Sequence, residues 1–138
     1  MTLLETLRVE ELGEHKLEHA RKDVQHLFIA CVAFLRARGN HHTIYITSVL
    51  RDGGVHGTGR ALDFAFSRDA MVRPANMHIL LELRAWVNTH FPYTKSNGTP
   101  SYTCIYRQET GSASGDSEHL FHVHLQMSSA PSDTGSFA

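Results

Sequence analysis

A chain of 138 residues is the size of one domain, and at that length roughly two-thirds of the unfolded surface can be buried without staples. Hydrophobic residues make up 41% and charged residues 20%, which excludes a disordered chain; a formal net charge of -1 excludes the strong field that recruits nucleic acid or anionic lipid. The two cysteines, Cys31 and Cys104, are far apart and in no CxxC pattern, so a disulfide framework and a thiolate zinc knuckle are both excluded and each reads as a small buried hydrophobe.

The opening segment, MTLLETLRVEELGEHK, is acidic and lacks the basic start, apolar middle and small-residue cleavage site of a signal peptide. Synthesis in the cytoplasm is the expectation, with delivery to any outside target by another factor. No apolar run is long enough for a membrane span. Residues 3–12 suit a short helix. Residues 16–38 suit a long one, because Leu17, Ala20, Val24, Leu27, Phe28, Cys31, Val32 and Leu35 recur at i, i+3/i+4 and make one apolar stripe. Glu18 and Lys22 stand four apart on another face of it, in the favourable order. Gly39 and Asn40 stop the helix. Of the eleven histidines, His15, His19 and His26 fall on this helix at surface-like positions, and His41 and His42 lie in the loop that follows.

The β-branched run TIYITSVL, 43–50, reads as a strand, and RDGGVHGTG, with four glycines, as a loop. ALDFAF, 61–66, is a second strand. Its period of two puts Leu62, Phe64 and Phe66 on one face and Ala61, Asp63 and Ala65 on the other, so Asp63 faces away from the large apolar side chains. Residues 74–91 make a second long helix, opened by Pro74 and striped by Ile79, Leu80, Leu83, Trp86, Val87 and Phe91. YTCIYRQ, 102–108, is a third strand, followed by a flexible polar loop over 109–118. FHVHLQM, 121–127, alternates strictly: Phe121, Val123 and Leu125 face the core, and His122, His124 and Gln126 share the other face. The last eleven residues, 128–138, are polar without period and read as a disordered tail, which leaves one domain over 1–127.

Two histidines at i and i+2 on a strand point the same way, and zinc takes imidazole nitrogen and carboxylate oxygen. His56, Asp63 and one histidine of the HxH pair would make a three-ligand site with a position open for water. Such an ion lowers the pKa of bound water towards ~7 and polarises a carbonyl, so an amide can be hydrolysed without a Ser or Cys nucleophile. The same HxH also suits two exposed histidines on an edge strand, and Arg51 and Ser48 also suit a loop charge and a strand polar residue. Arg60 reads as a surface or structural residue, Trp86 as core, and Gly57 and Gly59 as turn formers around the loop.

TSVLRDGGVHGTGRALDF resembles the first motif of the zinc metallopeptidases typified by D-Ala-D-Ala carboxypeptidases, lysostaphin-type enzymes and penicillin-insensitive murein endopeptidases: a Ser and an Arg, then His, Gly, a small residue and Asp. HLFHVHLQ resembles the second motif, in the HxxHxH form of the murein endopeptidases. The likeness covers roughly residues 43–67 and 102–127. It implies that His56, Asp63 and His124 hold the zinc, that His122 serves the water or the oxyanion, that His119 is the leading His of HxxHxH, and that Arg51 assists with substrate charge. The carboxylate that many carboxypeptidase-type members place three residues before the last ligand is here Phe121. The base is then a histidine, His122 or His119, with Glu118 beside the motif but out of register; a near-neutral imidazole suits that work.

The expected fold is α+β: a small, mainly antiparallel sheet carrying the zinc site on one face, with two long helices packed on the other. The expected function is zinc-dependent hydrolysis of an amide in peptidoglycan stem or cross-link peptides through metal-bound water, in a compact protein of phage-lysin type acting on the cell wall. Two other readings stand beside it. One is a metal-binding but inactive structural or wall-binding domain, such as a phage particle component; the other is a metal-free fold with surface histidines. Which bond is cut and the oligomeric state stay open.

Overall fold

The chain leaves its first helix early. In the computed structural model, which describes residues 1–49, 59–68, 74–94, 98, 100–106 and 122–127, helix α1 covers only Leu3–Leu7. Thr2 caps it by accepting from the Glu5 N–H, and Arg8 ends it in the left-handed region at φ 58. Residues 9–11, expected to be helical, instead form strand β1, Val9–Glu11, parallel to β2, Ile44–Ser48. The reason is backbone pairing: Ile44 N–H donates to Arg8 O and Leu12 N–H to Ile46 O, so the sheet edge satisfies groups that a helix would have to satisfy locally. That outweighs the few tenths of a kcal/mol of helix preference in two glutamates.

The apolar stripe over 17–35 is buried at every expected position, from Leu17 to Leu35. It lies on two pieces of backbone rather than one. Leu17–His19 is a single 3-10 turn, and helix α2 runs Lys22–Ala37. Glu18 and Lys22 are therefore not an i,i+4 pair on one helix, and His15 precedes both elements, where its Nδ1 accepts from the Val49 N–H. Asp23, in the first turn of α2, is buried and holds Arg21 in a two-pronged ion pair. A carboxylate there also suits the positive end of the helix dipole. At the other end Gly39, at φ 84, and Asn40 return N–H bonds to Arg36 O and Leu35 O, a Schellman stop.

Strand β3 is Ala61–Ala65, and helix α3, Pro74–His90, follows. A two-stranded ribbon comes next, β4 (Tyr93–Thr94) with β5 (Pro100–Ser101), which the sequence patterns do not signal. Strand β6 is short, Cys104–Ile105, and β7 is Val123–Gln126. The main sheet runs β1-β2-β3-β7-β6, antiparallel except at β1–β2. Ile44, Ile46, Leu62, Phe64, Val123 and Leu125 form one face and bury against α2 and α3 in a single core. Phe28 of α2 meets Phe64 edge-on at 5.6 Å, and Trp86 of α3 packs between Phe34 and Phe91. A fully buried side chain such as Phe28 or Phe64 contributes roughly 1.5–3 kcal/mol by burial. The α+β architecture is the expected one. No helix among the described residues is long and apolar enough to cross a membrane.

Two details of this frame set the opposite face. The register shifts by one residue between Ile46 and Ser48, so Ser48 rather than Thr47 stands opposite Asp63. Such a bulge re-aims side chains locally. Just before β3, Gly59 sits at φ 74, where an added Cβ would lie 3.0 Å from the His19 carbonyl oxygen. Its own carbonyl accepts the Arg21 N–H at 2.8 Å. The 17–21 segment thus clamps the residue that leads into the Asp63 strand. Arg60, beside it, is structural as expected: its guanidinium donates to Met127 O, and its carbonyl accepts the Met127 N–H.

Candidate functional site

Period-two alternation fixes what the outer face of the sheet presents. On β3, Ala61, Asp63 and Ala65 point away from the core, and on β7 His124 and Gln126 do the same, with His122 one step before the strand. Asp63 pairs directly with His124 in the β3–β7 register, and with Ser48 across β2. Ser48, Asp63 and His124 therefore form one row across three strands. All three are buried, at 7%, 5% and 7% exposure. Strand β7 has neighbours on both sides, so the reading of HxH as two exposed histidines on an edge strand does not hold.

The carboxylate of Asp63 stands between the paired histidines. Its Oδ1 is 2.8 Å from His124 Nδ1, and its Oδ2 is 3.6 Å from His122 Nε2. The first is hydrogen-bond distance; the second is an electrostatic contact only. The other nitrogen of His124, Nε2, is 2.8 Å from Gln126 Oε1, and Gln126 Nε2 donates to Tyr102 O at 3.1 Å. That last bond assigns the amide, since a flipped Gln126 would set carbonyl oxygen against carbonyl oxygen. His124 Nε2 is then the donor, and Nδ1 faces a carboxylate oxygen. Two lone pairs at that distance repel unless a proton or a cation lies between them. The donor set, one imidazole nitrogen beside one carboxylate oxygen, fits a divalent ion such as zinc.

Among the described residues no group of three or more His, Cys, Asp or Glu is arranged to hold a metal ion. Asp63 and His124 would supply two donors. The third ligand inferred from the sequence, His56, lies outside the described residues, as do Arg51, His119 and Glu118. The thiols do not contribute: Cys31 and Cys104 are fully buried, and desolvation pushes both up, Cys104 to about 12. A separate polar cleft of about 650 Å³ lies along Arg8, His42, Tyr45 and Phe66 and does not include Asp63 or the HxH pair.

Two further residues belong to the site. Gln126 is visible in the sequence as a member of the outer-face row, but its contact with His124 depends on the Tyr102 carbonyl, which no side-chain pattern marks. The Ser48 hydroxyl is buried in the same row with no hydrogen-bond partner among the described residues. Its position opposite Asp63 depends on the bulge, which period-two reasoning does not foresee. No protein-family model, no curated protein and no solved structure matches this chain.

Proposed function

We propose that the chain is a zinc-dependent peptidase that hydrolyses an amide bond in peptidoglycan stem or cross-link peptides. One observation supports it most: a carboxylate and an imidazole from distant segments meet, buried, on an interior strand pair, with a second imidazole beside the same carboxylate. Burying an ionisable pair this way is costly unless partners or an ion compensate. The motif likeness supplies the reaction class. In this reading Asp63 and His124 hold the ion together with His56. When bound, the ion supplies Lewis-acid polarisation of the carbonyl and activation of water. His122, the less buried of the pair, takes the proton of the attacking water and returns it to the leaving amine as the C–N bond breaks. Arg51 assists with substrate charge, and His119 stands as a second proton carrier.

The test combines metal content with digestion of purified peptidoglycan, with and without chelator. Wild-type protein from zinc-supplemented expression is expected to hold about one equivalent of zinc and to digest peptidoglycan only when the metal is present. His124→Ala is expected to lose both metal and activity; His122→Ala is expected to keep the metal and lose activity. Less than about half an equivalent of zinc in the wild type refutes the metal reading. Full zinc without any digestion refutes the enzyme and leaves a metal-binding structural or wall-binding domain. Equal metal loss in both variants reverses the assignment of the histidine pair.

A further inference from the structure

We infer that Gln126 is a positioning residue for His124: its amide, tied to the Tyr102 carbonyl, holds the imidazole so that Nδ1 is the nitrogen offered beside Asp63. This rests on the zinc reading above.

The contacts form one chain from helix to ligand. On α3, Asn88 Oδ1 accepts the backbone N–H groups of Thr103 at 2.8 Å and Cys104 at 2.9 Å, and its Nδ2 donates to Cys104 O at 2.8 Å. The Thr103 hydroxyl donates to Phe91 O. The 102–105 segment is thus fixed to the end of α3 by side chains, as well as to β7 by strand pairing. Gln126 is gripped twice by that segment. Its backbone N–H donates to Thr103 O at 2.9 Å and its side-chain amide to Tyr102 O at 3.1 Å. The carbonyl oxygen of the amide is aimed at His124 Nε2 from 2.8 Å.

The orientation of the amide decides which ring nitrogen keeps its proton. With the amide reversed, its NH2 would donate to Nε2, and Nδ1–H would donate to Asp63, leaving a neutral ring satisfied on both sides. The Tyr102 carbonyl forbids that state, since it accepts and cannot donate. The amide therefore holds a proton on Nε2 and leaves Nδ1 as the nitrogen that faces the carboxylate, where the ion would bind. A carbonyl acceptor on the far nitrogen of a ligating imidazole fixes its tautomer and raises its basicity; losing such a partner typically costs about 10–100-fold in metal affinity.

The experiment uses zinc itself as the probe. Zinc affinity is measured by chelator competition for wild type, Gln126→Met and Gln126→Glu, and ring nitrogens are observed by NMR in the zinc-loaded, 15N-labelled proteins. Wild type is expected to show His124 bound through Nδ1 with a protected Nε2–H. Gln126→Met, of similar length but without an acceptor, is expected to bind zinc about 10–100-fold more weakly and to lose that protected proton. Gln126→Glu keeps an acceptor, so it is expected to recover the proton signal and to bind more tightly than the Met variant. Zinc-loaded wild type with Nε2 as the bound nitrogen overturns the inference even if no variant folds. So does a Met variant that binds within twofold of wild type with the Nε2–H intact. Both of those outcomes leave the zinc reading standing, whereas wild type that takes up no zinc removes both.

Discussion

Replacing Gly59 by alanine tests how the Asp63 strand is held in place. Two costs add. Alanine at φ 74 leaves the ordinary backbone regions, which costs roughly 1–2 kcal/mol. Its Cβ would stand 3.0 Å from the backbone oxygen of His19, and crowding against main chain in a packed site costs roughly 1–3 kcal/mol. The sum is about 2–5 kcal/mol. Unfolding entropy near ~2.1 cal/mol/K per residue gives about 0.3 kcal/mol/K for this chain, so Tm should fall by about 7–17 °C. Gly39→Ala is the control. Gly39 has φ 84 but nothing within 4 Å of an added Cβ, so only the first cost applies and Tm should fall by about 3–7 °C. Thermal unfolding is followed by circular dichroism with chelator present, so that metal binding adds no stability by mass action. If Gly59→Ala melts no lower than Gly39→Ala, the clamp between His19 and Gly59 is not what holds that end of β3.

Ser48→Ala removes a buried hydroxyl that has no partner among the described residues, so urea unfolding should show unchanged stability or a gain of up to about 1 kcal/mol. A loss beyond that would mean the hydroxyl has a partner the geometry does not show. Both cysteines should resist a disulfide reagent at pH 8 in the folded protein and react once it is unfolded in denaturant; rapid native labelling of either would contradict their burial. Cys104 also sets a pH dependence. Its folded value, raised to about 12, lies above the ordinary 9.0, so its contribution is complete below pH 9 and is lost as pH climbs towards 12, because the unfolded chain ionises first. Cys104→Ala should flatten that alkaline fall in stability.

Much of this architecture follows from periodicity. The stripe from Leu17 to Leu35 is a property of spacing, and it survives the break between the 3-10 turn and α2 because burial selects the apolar residues and not the hydrogen-bond pattern. Alternation in ALDFAF and FHVHLQM placed Asp63 and His124 on the face away from the core, where they meet. What periodicity misses is decided by long-range backbone contacts. Val9–Glu11 carries glutamates that suit a helix, and only pairing to Ile44 and Ile46 makes it a strand. Likewise the grip of Tyr102 on Gln126, and of Asn88 on Thr103 and Cys104, runs through main-chain atoms that every residue type shares.

The bulge in β2 has a bearing on how this chain tolerates changes of length. Between Ile46 and Ser48 the strand carries one residue more than its partner, so a single deletion there would leave Ile46 and Val49 inward and a hydroxyl across from Asp63. Remove one residue from the middle of β3 instead, and parity reverses: the carboxylate turns under the sheet and a neighbouring leucine or phenylalanine turns out. Between these two strands, a change of length that keeps the outer-face row should therefore fall at that joint.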